Sequence, residues 1–230
     1  MPLEYREVAP PARLAPFVKC YWTLRGEPDG APEVERILPD GAFELVFHFG
    51  DPFISNGTVQ PHAMLVGQIR RPTLILASRR VNVFGVRFKV GGAAAFFKEP
   101  LSAFRDEILP VDMRPEDVRI ADVPYRWKLA RDVASLIEEH RGALRMRDIL
   151  SITGRSERAI ERAFEDCIGM SAKTYSRLTR FRAYLDEPDD DHGYFDQSHL
   201  IRDFHEFAGT SPSKFRREMH AIDDAFRNPA

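Results

Sequence analysis

Near the middle of the chain the spacing of apolar residues changes from a pattern that suits strands to one that suits helices. Between Val18 and about Phe88, apolar and β-branched residues come in runs of four to eight: Phe17–Leu24, Ala42–Phe49, Met64–Gln68, Thr73–Ala77 and Val81–Phe88. Turn residues separate them, among them Pro39-Asp40-Gly41, Asn56-Gly57 and Arg71-Pro72. No helix-period segment of ten or more residues interrupts these runs, so an antiparallel sandwich or small barrel is expected. Gly91-Gly92 followed by three alanines reads as a glycine-led helix start, and the strand signal stops there.

Beyond a proline-marked linker, Pro110–Pro124, the period becomes helical. In Tyr125–His140 the residues Trp127, Ala130, Val133, Ala134 and Ile137 recur at i, i+3, i+4 spacing, which predicts one buried face. The fold class expected is therefore α+β. A β-rich unit over 1–109 and a linker over 110–124 precede an all-α unit over 125–220 and a tail over 221–230.

Composition narrows the class. With 43% hydrophobic and 30% charged residues the chain suits a soluble globular protein. The N-terminus lacks an uninterrupted apolar stretch and no segment approaches the length of a membrane span, so neither a signal peptide nor a membrane partner is expected. Cys20 and Cys167 lie far apart in apolar settings and read as buried thiols in a reducing compartment, which suggests a cytoplasmic location. The net charge of −2 gives no global sign of nucleic-acid binding.

The local sequence gives one. Over 146–164 a short helix, with Ile149, Leu150 and Ile152 inward, should stop at Thr153-Gly154, where glycine can take the left-handed conformation. Ser156 is a suitable cap for a second helix with Ile160 and Phe164 as its buried stripe and Arg158, Glu161 and Arg162 outside. Helix, glycine turn and helix with a polar outer face is the arrangement that lays a helix in the DNA major groove, although a plain helical hairpin shares its spacing. A second copy follows. Asp196-Gln-Ser-His199-Leu200-Ile-Arg202-Asp-Phe204, then Gly209-Thr-Ser211, echoes Ser156 to Phe164, then Gly169-Met-Ser171. Between Arg126 and Arg182 thirteen basic residues face eight acidic ones, a modest positive excess of the kind phosphate binding needs.

The string GYFDQSHLIRDFHEFAGTSPSKFR, with the strings ERILPDGAFELVFHFGDPF, MLVGQIRRP and VFGVRFKVGGAAAFF, resembles the AraC/XylS type of bacterial transcription regulator, in a subgroup with a β-rich, cupin-like sensor domain. The resemblance implies a DNA-binding regulator and not an enzyme, with double-stranded DNA, a small-molecule effector and a second copy of the chain as partners. It also implies that Arg158, Glu161 and Arg162 face bases or phosphates in one major groove, and that Gln197, Ser198, His199 and Arg202 do so in the next. Arginine suits guanine or phosphate, glutamine suits adenine, and a glutamate can accept from cytosine N4.

The chain departs from the family between Leu185 and Gly193, where a run of carboxylates stands in place of a support helix and about ten residues have no counterpart. The segment between Met113 and Trp127 is also short. Either the natural chain carries a further segment, and its mass exceeds 26.3 kDa, or the deletion is real and the second unit is weakened.

In the β-rich half Glu44 and His48 share a strand face and His62 follows in a turn, but no His-x-His pair occurs. Neither a metal nor a cofactor is expected, which places a cupin-like metalloenzyme behind the other readings. Trp22, Glu44, His48 and Arg87 are the candidate ligand-binding residues: an aromatic wall, polar anchors and a strand arginine for an anion. A protein-docking module built on a degenerate helical unit remains the alternative to a DNA reader.

Overall fold

The computed structural model describes residues 3–28, 34–188 and 193–218. Parts of two sequence features, the acidic run at 189–191 and the tail at 221–230, lie outside them.

Among the described residues ten strands form two antiparallel sheets. The larger has the order β1-β2-β9-β4-β7-β10, with β1 at Glu4–Val8, β2 at Val18–Gly26, β4 at Glu44–His48, β7 at Ala63–Val66, β9 at Val81–Phe88 and β10 at Ile108–Pro110. The smaller has the order β3-β8-β5-β6, from Val34–Ile37, Thr73–Leu76, Ile54–Ser55 and Thr58–Val59. The Asn56-Gly57 turn between β5 and β6 has φ of 48° and 84°. That pair of left-handed residues matches the twist of a tight hairpin.

Side-chain alternation in β4 divides the interior. Val46 joins Met64, Val81 and Val83 in a small cluster with Trp22, Leu24, Phe53 and Ala77. Leu45 and Phe47 point the other way, into a large cluster with Leu65, Val86 and Phe88 that continues into the helices. The second cluster runs without a break through Ile137, Ile160, Phe164 and Phe181, so both halves of the chain share one apolar core.

Five named helices follow: α1 (Trp127–Glu139), α2 (Met146–Thr153), α3 (Glu157–Cys167), α4 (Ala172–Asp186) and α5 (Gln197–Phe207), with a further helical segment over 212–218. The fold is thus α+β, a β-rich half followed by a helical one. Residues 92–95, read above as a helix start, form only a four-residue 3-10 turn. Glycine and three alanines bury completely there, but Phe96 and Phe97 turn away to pack on Phe88. The linker is not a free tether: Ala121 N–H donates to the Ala95 carbonyl at 2.8 Å, holding the strand-free segment against the β-rich half.

The weak-signal strands β1, β3, β5, β6 and β10 have no long apolar run. β1 and β3 are exposed at every position and form sheet edges.

Candidate nucleic-acid interface

The unit formed by α2 and α3 follows from local chemistry. Gly154 ends α2 at φ 63°, its N–H donating to the Leu150 carbonyl at 2.9 Å. Ser156 caps α3 by accepting from the Ala159 N–H at 3.3 Å. Ile160, Ala163, Phe164 and Cys167 form its buried stripe. Ile149 is buried in α2 and Leu150 partly so, but Ile152 is 60% exposed and lies outside the expected inward set. It sits three residues after Ile149 at the end of an eight-residue helix, where none of the described residues covers it.

On the outer face of α3, Arg158 and Arg162 are exposed, one helical turn apart. With Arg155 and Ser156 they line one wall of an open groove of about 360 Å3 whose other wall is Tyr125, Arg126 and Leu129 at the start of α1. Among the described residues Arg155, Arg158 and Arg162 have no carboxylate partner, whereas Arg126 is tied to Asp166 at 2.7 Å and lies over the Tyr125 ring. Tyr125, 81% exposed, and Arg126 are site residues that sequence reading missed. Their adjacency to α3 comes from the packing of α1 on α3, which periodicity within one helix does not report.

Glu161 does not share that face fully. It is half-buried, its carboxylate turned toward the Ala172 backbone N–H at the start of α4. Burial pushes its carboxyl above the ordinary value, and the Ala172 N–H partly offsets that. Its expected place among fully exposed surface contacts is thus modified.

The second copy is built differently. Asp196 caps α5 by accepting from the His199 N–H at 2.9 Å, and Gln197, Ser198, His199 and Arg202 are all exposed. Among the described residues no helix stands where a support helix would pack; α4 holds α5 directly. Phe204 meets Phe181 edge to face and Phe207 meets it tilted, at 5.1 and 5.4 Å between ring centres. Arg177 reaches across with its guanidinium to the buried Asp203, at 2.6 Å, and to Glu206, at 2.5 Å. His205 and Ile201 complete the exposed face and were not singled out from sequence.

The four candidate ligand residues are only partly brought together. Arg87 donates through Nε to Glu44 at 2.5 Å, so its charge is already paired. Burial raises the Glu44 carboxyl, with Arg87 acting in opposition. Trp22 packs against Gly85, where an added Cβ would come within 2.0 Å of the indole; only glycine admits this contact. His48, however, sits apart with Gln60, its Nε2 2.9 Å from Oε1. Glu44 and His48 share a face, but they lie four positions apart along an extended strand, with three residues between them. A different recess, of about 260 Å3, lies between Phe96 and Phe97 and the linker residues Met113 and Val118. Among the described residues no three His, Cys, Asp or Glu side chains are placed to hold a metal.

His48 gives a pH signature. In the tautomer that donates to Gln60, its Nδ1 is buried without a partner, and burial lowers its pKa. A histidine depressed in the fold leaves stability intact above its unfolded value and erodes it as pH falls through the folded one. Denaturant unfolding is expected to show stability falling as the pH drops below about 6.5, the ordinary histidine value. The His48→Gln variant should show a shallower fall, and an unchanged slope would contradict this assignment.

Comparison with known proteins supplies one match. Residues 6–110 fit the profile of a domain of unknown function, DUF6597, which covers the β-rich part and stops at β10, before the helices. No curated protein and no solved structure matches the chain significantly. The β-rich half therefore resembles a domain family without an assigned function, and the reading of the helical half rests on its own residues.

Proposed function

We propose that this chain is a DNA-binding transcription regulator of the AraC/XylS type, with α2, the Gly154 turn and α3 as a helix-turn-helix whose α3 enters a major groove. The observation that carries the reading is three arginines at the head of α3 that form no ion pair among the described residues, although α3 itself also carries Glu157, Glu161, Glu165 and Asp166. Arg155, Arg158 and Arg162 line one groove with no carboxylate opposite them among the described residues, while several neighbouring arginines are paired. Unpaired guanidinium groups on the outer face of a capped helix suit phosphate and guanine contacts. Arg126 and Tyr125 stand where a DNA backbone would pass. α5 acts as a second head, exposing Gln197, Ser198, His199 and Arg202. The β-rich half acts as a cupin-like sensor, and the recess beside Phe96 and Phe97 is the place for a small apolar effector.

Selection from random duplex DNA tests the reading. Two half-sites about 10 base pairs apart would mean that both heads read DNA. A single short motif would assign the reading to α3 alone, and no enrichment would sink the proposal.

A second reading has its own support. Phe195, just before the Asp196 cap of α5, is 85% exposed, and among the described residues α5 is held by α4 without a support helix. An apolar side chain so exposed at the head of a helix suits a protein partner better than a phosphate backbone. In that reading the helical half is a docking module, and the chain recovers no DNA motif.

A further inference from the structure

The C-terminal end of α3 is enclosed by the β-rich half, which no helical hairpin requires. α3 stops at Ile168-Gly169, with Gly169 at φ 94° and its N–H bonded to the Phe164 carbonyl at 2.8 Å. The Gly169 carbonyl then accepts from Arg105 Nε at 2.6 Å. Arg105 follows the 3-10 turn at Leu101–Phe104, in the segment just before β10. Around the same glycine an added Cβ would meet the Leu101 carbonyl at 3.1 Å, Gln68 Oε1 at 3.2 Å and the Phe43 ring at 3.2 Å.

Gln68 is fully buried, and its Nε2 donates to the Gly41 carbonyl at 2.7 Å. The Gly41 turn in turn lies against Tyr175 and Leu178 of α4, with 3.2 Å from the place of its absent Cβ to the Tyr175 ring. Three segments of the β-rich half, around residues 41–43, 68 and 101–105, therefore grip the turn between α3 and α4. A helix whose last turn is held this way cannot change its tilt without breaking a charge-assisted hydrogen bond and opening a close-packed contact.

We infer that Arg105, with Gln68 and Phe43 behind it, is a positioning residue for α3: it sets the angle at which Arg158 and Arg162 are presented to DNA. This rests on the DNA-reading proposal above. Arg105 itself touches no DNA, since it is half-buried against Gly169, at the end of α3 opposite the Ser156 cap and the arginine groove. Its loss should therefore weaken DNA binding without removing a phosphate contact.

The test is the Arg105→Ala variant of the full chain, measured two ways. Without DNA, hydrogen exchange of the amides over 165–170 is expected to quicken about tenfold, the effect of losing one charge-assisted hydrogen bond. With a duplex recovered by selection, affinity is expected to fall about tenfold while the slope of log affinity against log salt stays that of the wild type; Arg162→Ala, by comparison, should lower the slope by about one. Unchanged exchange, or affinity within twofold of the wild type beside quickened exchange, would overturn the inference. If the wild-type chain binds no duplex, the DNA reading has failed, and the clamp stands or falls on the exchange result alone.

Discussion

Replacing both Arg158 and Arg162 with alanine is expected to lower DNA affinity by about 2–4 kcal/mol, on the order of 30- to 1,000-fold. Both side chains are exposed and unpaired among the described residues, so their removal deletes contacts to the ligand and leaves the fold intact. Fluorescence anisotropy with a selected duplex measures the loss, and thermal unfolding checks that stability moves by less than about 0.5 kcal/mol. Affinity equal to the wild type would remove α3 from the interface. The same double substitution separates the two readings of the helical half. A docking surface centred on Phe195 and α5 would be indifferent to it, whereas a protein partner lost on Phe195→Ser would leave DNA binding out of the account.

Phe181→Ala carries the largest expected effect on stability, a loss of about 3–5 kcal/mol. Phe181 is fully buried and packs on both Phe204 and Phe207, so truncation opens a cavity where α5 meets α4. The Arg177–Asp203 pair crosses the same seam, with Asp203 nearly inaccessible to solvent. Loosening the seam leaves that carboxylate poorly paired and adds to the cost. Chemical denaturation measures the loss, and hydrogen exchange over 197–207 should report a larger change than over 157–164. A loss below about 1 kcal/mol would mean that α5 is not anchored through this contact. The substitution also tests what replaces a support helix, since α4 is the main element against which α5 rests.

Much of this architecture could be read in the sequence because it rests on strong local signals. Val81–Phe88 was recovered with its bounds, since it is long, apolar and flanked by turn residues. Ser156 and Gly154 act as caps where their chemistry suggests, because a cap is decided within four residues of chain. Edge strands were not visible: β1 and β3 bury nothing on their own, so no apolar run marks them. The short turn at Gly92–Ala95 looked helical because alanine favours helices, but burial on all sides and the bulk of Phe96 and Phe97 end it within four residues.

The candidate site was legible in part for the same reason. Arg158 and Arg162 follow from the spacing of α3. The groove wall at Tyr125 and Arg126, and the grip of Arg105 on Gly169, arise from contacts between residues some 30 to 65 positions apart. Pattern within one element carries no information on such contacts. Glu161 shows the limit most clearly: its helical position puts it outside, but the start of α4 draws its carboxylate toward the Ala172 N–H. Glu44 and Arg87 are cross-strand neighbours, so they neutralise each other and leave no free anchor for an anion.

The central claim, that the α3 face binds the DNA backbone through unpaired arginines, is tested most directly by titrating salt against the affinity of the full chain for a selected duplex. With three free arginines at the groove, log affinity should fall with log salt at a slope of about −3, or about 50-fold weaker binding between 50 and 200 mM. A slope near zero, or no binding at low salt, would contradict the account and leave the helical half as a surface for another protein.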